Sequence, residues 1–174
     1  MNKNWDEIKN LACEYTMENM SGGMNCAESV FAALVRSGAI DVPPEAVAYA
    51  TGFGGGGGGT GLTCGALSSA ILANNIVHGR KPPITTEDRA ALKEKHYRRY
   101  NNIVSDFVKV SSSGLCREII NQFPEGYNDV ATRPNCIRIC CEAAKIAVNY
   151  LQLDVEETAK LEYDPTVVGI KNWI

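Results

Sequence analysis

The sequence contains no Cys-x-x-Cys, only two histidines, no long uninterrupted apolar run and no excess charge of one sign. Without Cys-x-x-Cys, a thioredoxin-like redox motif and the common zinc ribbons are excluded. His78 and His96 stand in no ligand or triad spacing, so each reads as a helix-end or surface residue. The longest apolar-leaning stretch, Ala66 to Val77, is interrupted by Ser68, Ser69, Asn74 and Asn75, which makes it a buried helix rather than a membrane span. Residues 1–7 carry no apolar run, so neither a secretory signal nor a membrane anchor is expected, and the chain is read as cytoplasmic. Seventeen basic residues against twenty acidic leave a net charge of −3, too little field to collect nucleic acid or an anionic membrane.

What is present is a chain of 174 residues, 45% hydrophobic and 21% charged. That length predicts one domain with a substantial core. Periodicity predicts an all-α bundle of seven or eight helices. Trp5, Ile8, Ala12 and Tyr15 mark a helix over 5–20, and Ala27, Val30, Phe31 and Leu34 mark one over 24–37. A short helix is expected over 45–50. From Cys64 to His78 apolar residues surround the axis, which predicts a central helix covered by its neighbours. Thr86-Glu87-Asp88-Arg89 opens a long polar helix whose inner stripe is Leu92, Tyr100, Ile103, Phe107 and Val110, with a slip in spacing near His96. The basic and aromatic segment His96-Tyr97-Arg98-Arg99-Tyr100 reads as a solvated face. A short helix over 115–122 and a strong one over 135–152 complete the bundle, the latter with Ile137, Cys140, Cys141, Ala144, Val148 and Leu151 inward. Only Thr166-Val167-Val168-Gly169-Ile170 offers a candidate strand. The apolar tail 167–174 is expected either to dock on a second subunit, giving a homodimer, or to fold back on its own core.

Seven cysteines are the anomaly in the composition. An odd number without an export signal argues for reduced thiols rather than a disulfide framework. Four of them fall at expected helix starts. Cys26 follows Asn25, with Glu28 placed to close a capping box; Cys64 follows Thr63; Cys116 comes three residues after Ser113; Cys136 follows Pro134-Asn135. Unpaired N–H groups and the positive end of the dipole favour a thiolate in a first turn, so lowered thiol pKa values are expected there. Cys13, Cys140 and Cys141 read first as small core residues. Cys140 lies one turn after Cys136, a separation that also suits metal ligation, though core packing is the preferred reading.

The run Gly54–Gly59 reads as loop. The backbone N–H groups of Gly56, Gly57, Gly58 and Gly59, with Gly65 beyond, are expected to gather about one point as an anion- or cofactor-binding nest and to let other segments approach Cys64. No strand precedes the run and no lysine follows in the phosphate-loop position, so nucleotide fingerprints do not apply.

The four cysteines, together with Gly61-Leu62-Thr63-Cys64-Gly65-Ala66-Leu67-Ser68-Ser69, resemble the family of redox-active proteins named for its C_GCAxxG_C_C pattern, over about residues 22–144. Cys26 in Met24-Asn25-Cys26-Ala27-Glu28 matches the early cysteine. Cys64, Gly65 and Ala66 match the Cys-Gly-Ala that follows the glycine-rich stretch. Cys116 and Cys136 match the third and fourth cysteines, and Ser69 stands where the pattern has its second glycine. The resemblance implies a cysteine-based redox role.

The preferred functional reading is therefore a thiol oxidoreductase. Cys64 attacks a disulfide or peroxide-like acceptor, Cys26 resolves it, and Cys116 and Cys136 complete the site; this reading requires no cofactor, and the sequence names none. The alternative belongs to a different class: Cys26, Cys64, Cys116 and Cys136 bind an iron–sulfur cluster or zinc, giving an electron carrier or metal-binding module. A third reading is a helical interaction protein whose cysteines only fill space. No substrate or redox partner is legible.

Overall fold

A computed structural model describes residues 3–86, 89 and 91–172. Among them are eight α-helical segments and no strand: α1 (Trp5–Ser21), α2 (Cys26–Arg36), α3 (Gly54–Gly57), α4 (Gly65–His78), α5 (Tyr97–Ser111), α6 (Cys116–Ile120), α7 (Thr132–Leu151) and α8 (Val155–Ala159). The expected all-α architecture is what the chain adopts. Asn25 caps α2 by accepting from the N–H groups of Ala27 and Glu28, and the Glu28 carboxylate accepts from the Asn25 N–H, a complete capping box.

The slip in apolar spacing near His96 has a structural cause. Leu92–His96 forms a π-helical turn before α5 begins. A π turn holds one residue more than an α turn, so the apolar stripe is offset there. The expected start of that helix, Thr86 to Arg89, lies partly outside the described residues.

Four helices meet on α7, which packs against α1, α2, α4 and α5. Its buried residues accordingly cover more than one face, and they include Ile139, Ala143, Ile146, Ala147 and Tyr150 as well as Cys140, Cys141, Ala144, Val148 and Leu151 of the expected inner stripe, whose Ile137 is only partly buried. The central position expected for α4 alone is shared with α7. Ser69, in place of the pattern's second glycine, is fully buried and donates 2.7 Å to the Ala27 carbonyl, which joins α4 to the first turn of α2.

Two expectations are corrected. Arg99 is not on a solvated face: it is 2% exposed, and its guanidinium donates to the carbonyls of Tyr150, Leu153 and Asp154 at the end of α7, and to Asn74 and Thr158. Asp154 begins α8 and its carbonyl also accepts from the Thr158 N–H, but the Tyr150 and Leu153 carbonyls lie past the last intrahelical donors of α7, and a buried cation with a five-donor fork satisfies both at once. The tail is not a strand. Pro165–Val167 is a 3₁₀ turn, and residues 167–170 fold back along Tyr97, Tyr100, Asn101 and Val104, bounding a cavity of about 250 Å³. Ile170 stays 60% exposed, and Trp173 and Ile174 lie outside the described residues. No described helix is long and apolar enough to cross a membrane.

A candidate thiol site

The glycine run does more than connect. Gly55, Gly56 and Gly58 have φ/ψ of 63/24, 74/43 and 64/35, a left-handed helical turn. L side chains cost roughly 1–2 kcal/mol each in that conformation, so only consecutive glycines form it readily. The turn ends by bonding Gly61 N–H to the Gly55 carbonyl and Leu62 N–H to the Gly56 carbonyl, at 3.0 and 3.1 Å. Space is also limiting, because a Cβ on Gly56 would lie 2.6 Å from the Leu62 nitrogen.

The compact turn delivers residues 61–64 to residues 114–117. Thr63 and Leu115 form an antiparallel bridge, flanked by Cys64 N–H to Gly114 carbonyl at 2.8 Å, Cys116 N–H to Leu62 carbonyl at 2.7 Å and Arg117 N–H to Gly61 carbonyl at 2.9 Å. Side chains alternate along such a pairing, so Cys64 and Cys116 project to the same side. Cys64 is the N-cap of α4 and Cys116 the first residue of α6. Ser113 braces that corner by accepting from Leu115 N–H and donating to the Glu118 carboxylate.

From the opposite side, Cys26 opens α2 and its sulfur lies over Gly65. A Cβ on Gly65 would sit 2.7 Å from Cys26 Sγ and 2.8 Å from the Phe53 carbonyl oxygen. Cys136 and Cys140, one turn apart on α7, close the site. Together Cys26, Cys64, Cys116, Cys136 and Cys140 line a cavity of about 30 Å³ whose remaining wall is Ile119, Ile120 and Ile139. All four expected site cysteines are thus brought together, and Cys140 joins them. Its spacing from Cys136 was the available signal.

Three of these thiols also face outward. Cys26, Cys116 and Cys136 border a larger cavity of about 410 Å³, with Met20, Met24, Ile120, Tyr127 and Arg133 among its other walls. The Arg133 guanidinium donates to the Met20 carbonyl at 2.6 Å. None of the apolar or basic residues at this mouth was singled out by sequence.

The electrostatics reverse an expectation. Burial pushes the Cys64 thiol up to about 12, with the neighbouring Cys26 adding to the rise and the N–H groups of Ala66 and Leu67 opposing it. Burial likewise raises Cys116, and it raises Cys136 to about 11, where Arg133 pulls the other way. Cys140 is raised well above the usual thiol value by burial and by the sulfurs around it. The helix-start effect exists at Cys64, but desolvation of a charge among isoleucines and other thiols outweighs it. Cys136 does not stand in a first turn at all. The helix begins at Thr132 because Pro134 occupies its third position, where no intrahelical N–H is required, and Asn135 N–H makes the first bond back to Ala131.

The expected nest is partly spent inside the turn. The N–H groups of Gly58 and Gly59 both bond the Gly54 carbonyl. Gly56 is packed against Leu62, Gly57 lies beside Thr60, and the side-chain space of Gly65 is taken by Cys26. Among the described residues, no three Cys, His, Asp or Glu side chains are arranged as a metal site, although five sulfurs share one cavity wall.

No curated protein and no solved structure matches the chain. The model of the family described as "Putative redox-active protein (C_GCAxxG_C_C)" matches residues 24–150, which span every cysteine of the cavity, and the chain belongs to that family.

Proposed function

We propose that the protein is a thiol–disulfide exchange protein in which Cys26 attacks and Cys64 resolves. The observation that carries this reading is the shared wall: Cys26 borders both the open cavity and the closed one, whereas Cys64 borders only the closed one. Cys26 also contributes to the raised pKa of Cys64, Cys116, Cys136 and Cys140, so it neighbours every other thiol of the cluster. Attack from the buried Cys64, 8% exposed and holding its proton to about 12, is disfavoured.

The exchange balances as follows. The Cys26 thiolate attacks one sulfur of an incoming disulfide, forming a mixed disulfide and releasing the first thiolate, which takes up a proton. The Cys64 thiol passes its proton to the second leaving sulfur and bonds Cys26 Sγ. The substrate gains two electrons and two protons as thiols, and the protein holds a Cys26–Cys64 disulfide. Gly65 permits the required approach of the two sulfurs. Apolar Met20, Met24 and Ile120 with cationic Arg133 at the mouth suit a disulfide on a partly apolar, anionic carrier.

Thiolates are suitable donors for zinc or an iron–sulfur cluster, but the present arrangement lacks three ligands disposed about one point. Exchange is the reading the geometry favours. The test is anaerobic purification, metal analysis, and reaction with oxidised glutathione. Metal-free protein whose Cys64→Ser variant accumulates glutathione on Cys26, and whose Cys26→Ser variant exchanges at least tenfold more slowly at the cluster, is expected. Stoichiometric zinc or iron, or cluster exchange indifferent to Cys26→Ser, overturns the proposal.

A further inference from the structure

The two remaining cysteines lie away from the cavity and meet each other. Cys13 on α1 and Cys141 on α7 are 128 residues apart in sequence, yet the Cys141 thiol lies 3.4 Å from the Cys13 carbonyl oxygen and also hydrogen-bonds the Cys13 sulfur. Successive residues of a helix turn by about 100°, so Cys140 lines the cavity while its neighbour Cys141 faces α1. Lys145, one turn further along α7, bears electrostatically on both sulfurs, and its ammonium is held 3.0 Å from the Glu142 carboxylate. Cys13 precedes the matched segment 24–150, so this pair is no part of the family's cysteine pattern.

We infer that Cys13 and Cys141 form a second dithiol site, which low-molecular-weight disulfides convert into a covalent link between α1 and α7. Cys13 is half-buried and Cys141 buried, so Cys13 is the sulfur an incoming disulfide meets. The Cys13 thiol gives its proton to solvent and attacks one sulfur of the disulfide. A Cys13 mixed disulfide forms, and the first leaving thiolate is protonated by solvent. Cys141 then attacks Cys13 Sγ, its proton going to the second leaving thiolate. The small disulfide is reduced to two thiols by two electrons, and two protein thiols become one S–S bond. With the Cys141 sulfur 3.4 Å from the Cys13 carbonyl oxygen, side-chain rotation can bring the two sulfurs together for a bond of about 2.05 Å. Burial holds the Cys141 proton to about 12, with Lys145 favouring and its partner Glu142 opposing the thiolate, so Cys141 acts second, as its proton passes to the leaving sulfur. A link closing so long a loop restricts the unfolded chain strongly, so the oxidised protein resists heat better than the reduced one.

The inference is independent of exchange at the cavity, and its test keeps the two apart. Wild-type, Cys26→Ser, Cys140→Ser and Cys13→Ser proteins are incubated with oxidised glutathione, then mapped by non-reducing peptide mass spectrometry and by thermal unfolding. The expected result is a Cys13–Cys141 crosslink in the first three, with the midpoint raised by several degrees and restored by dithiothreitol, and neither effect in Cys13→Ser. Separate glutathione adducts on Cys13 and Cys141, two unmodified thiols, a crosslink that needs Cys26 or Cys140, or an unmoved midpoint overturns it.

Discussion

Cys26 and Gly65 share one volume: the sulfur lies 2.7 Å from the point at which a side chain on Gly65 would begin. The same point is 2.8 Å from the Phe53 carbonyl oxygen and 3.1 Å from Ala27 Cβ, so the glycine is enclosed by α2 and by the segment leading to the glycine turn. That enclosure seats Cys26 beside Cys64 and makes the pair sensitive to a single methyl group.

Gly65→Ala is accordingly expected to push Cys26 aside and to destabilise the fold by about 1–3 kcal/mol, the usual cost of adding carbon to a packed interior. Urea unfolding reads the stability. Cys26 alkylation, followed by mass spectrometry, reads the displacement as a changed rate. Unaltered values for both would show that Cys26 does not depend on this glycine.

Alkaline pH should weaken the fold through the cavity thiols. In the unfolded chain these groups ionise near 9.0, whereas the folded protein holds Cys64 protonated to about 12 and Cys136 to about 11. Above pH 9 the native state therefore binds more protons than the unfolded state, and unfolding free energy falls with rising pH until the folded thiols ionise as well. Below pH 9 this contribution is fully present. Denaturant titrations from pH 8 to 11 should show the decline, and Cys64→Ala should make it shallower. An identical slope in that variant would place the proton linkage elsewhere.

Arg99→Leu removes the cation that closes the end of α7. The carbonyls of Tyr150 and Leu153 lose their donor, while that of Asp154 keeps the Thr158 N–H and hydroxyl. At roughly 1–3 kcal/mol for each of the two acceptors left unpaired, a loss of about 2 kcal/mol or more is expected. Calorimetry measures it as a lowered unfolding midpoint. Thiol exchange by the fraction that remains folded should stay within about twofold, because the cavity is lined from the other end of α7, at Cys136 and Cys140.

Local information went far in this chain. Apolar spacing located α1, α2, α4 and α7 to within a few residues, since helices declare themselves through the period of their buried face. Asn25 and Glu28 announced a capping box that is present in full. The order of Cys26, Cys64, Cys116 and Cys136 around a glycine run was enough to indicate the family. Where local rules misled, a competing local option was open: Pro134 is compatible with several positions of a first turn, and the helix took the earlier start at Thr132. The buried role of Arg99 was invisible because its carbonyl acceptors lie more than fifty residues away.

By itself, the sequence determined that the chain is helical, where most helices run, and which four thiols belong to one pattern, because capping, periodicity and residue order are properties of neighbours along the chain. Tertiary structure alone decided that Cys140 joins those four, that Cys13 meets Cys141, and that Cys64, Cys116, Cys136 and Cys140 hold their protons above the ordinary thiol range. Ionisation answers to the water and charge around a sulfur, and both are set by segments folded in from far away rather than by the turn on which the sulfur sits.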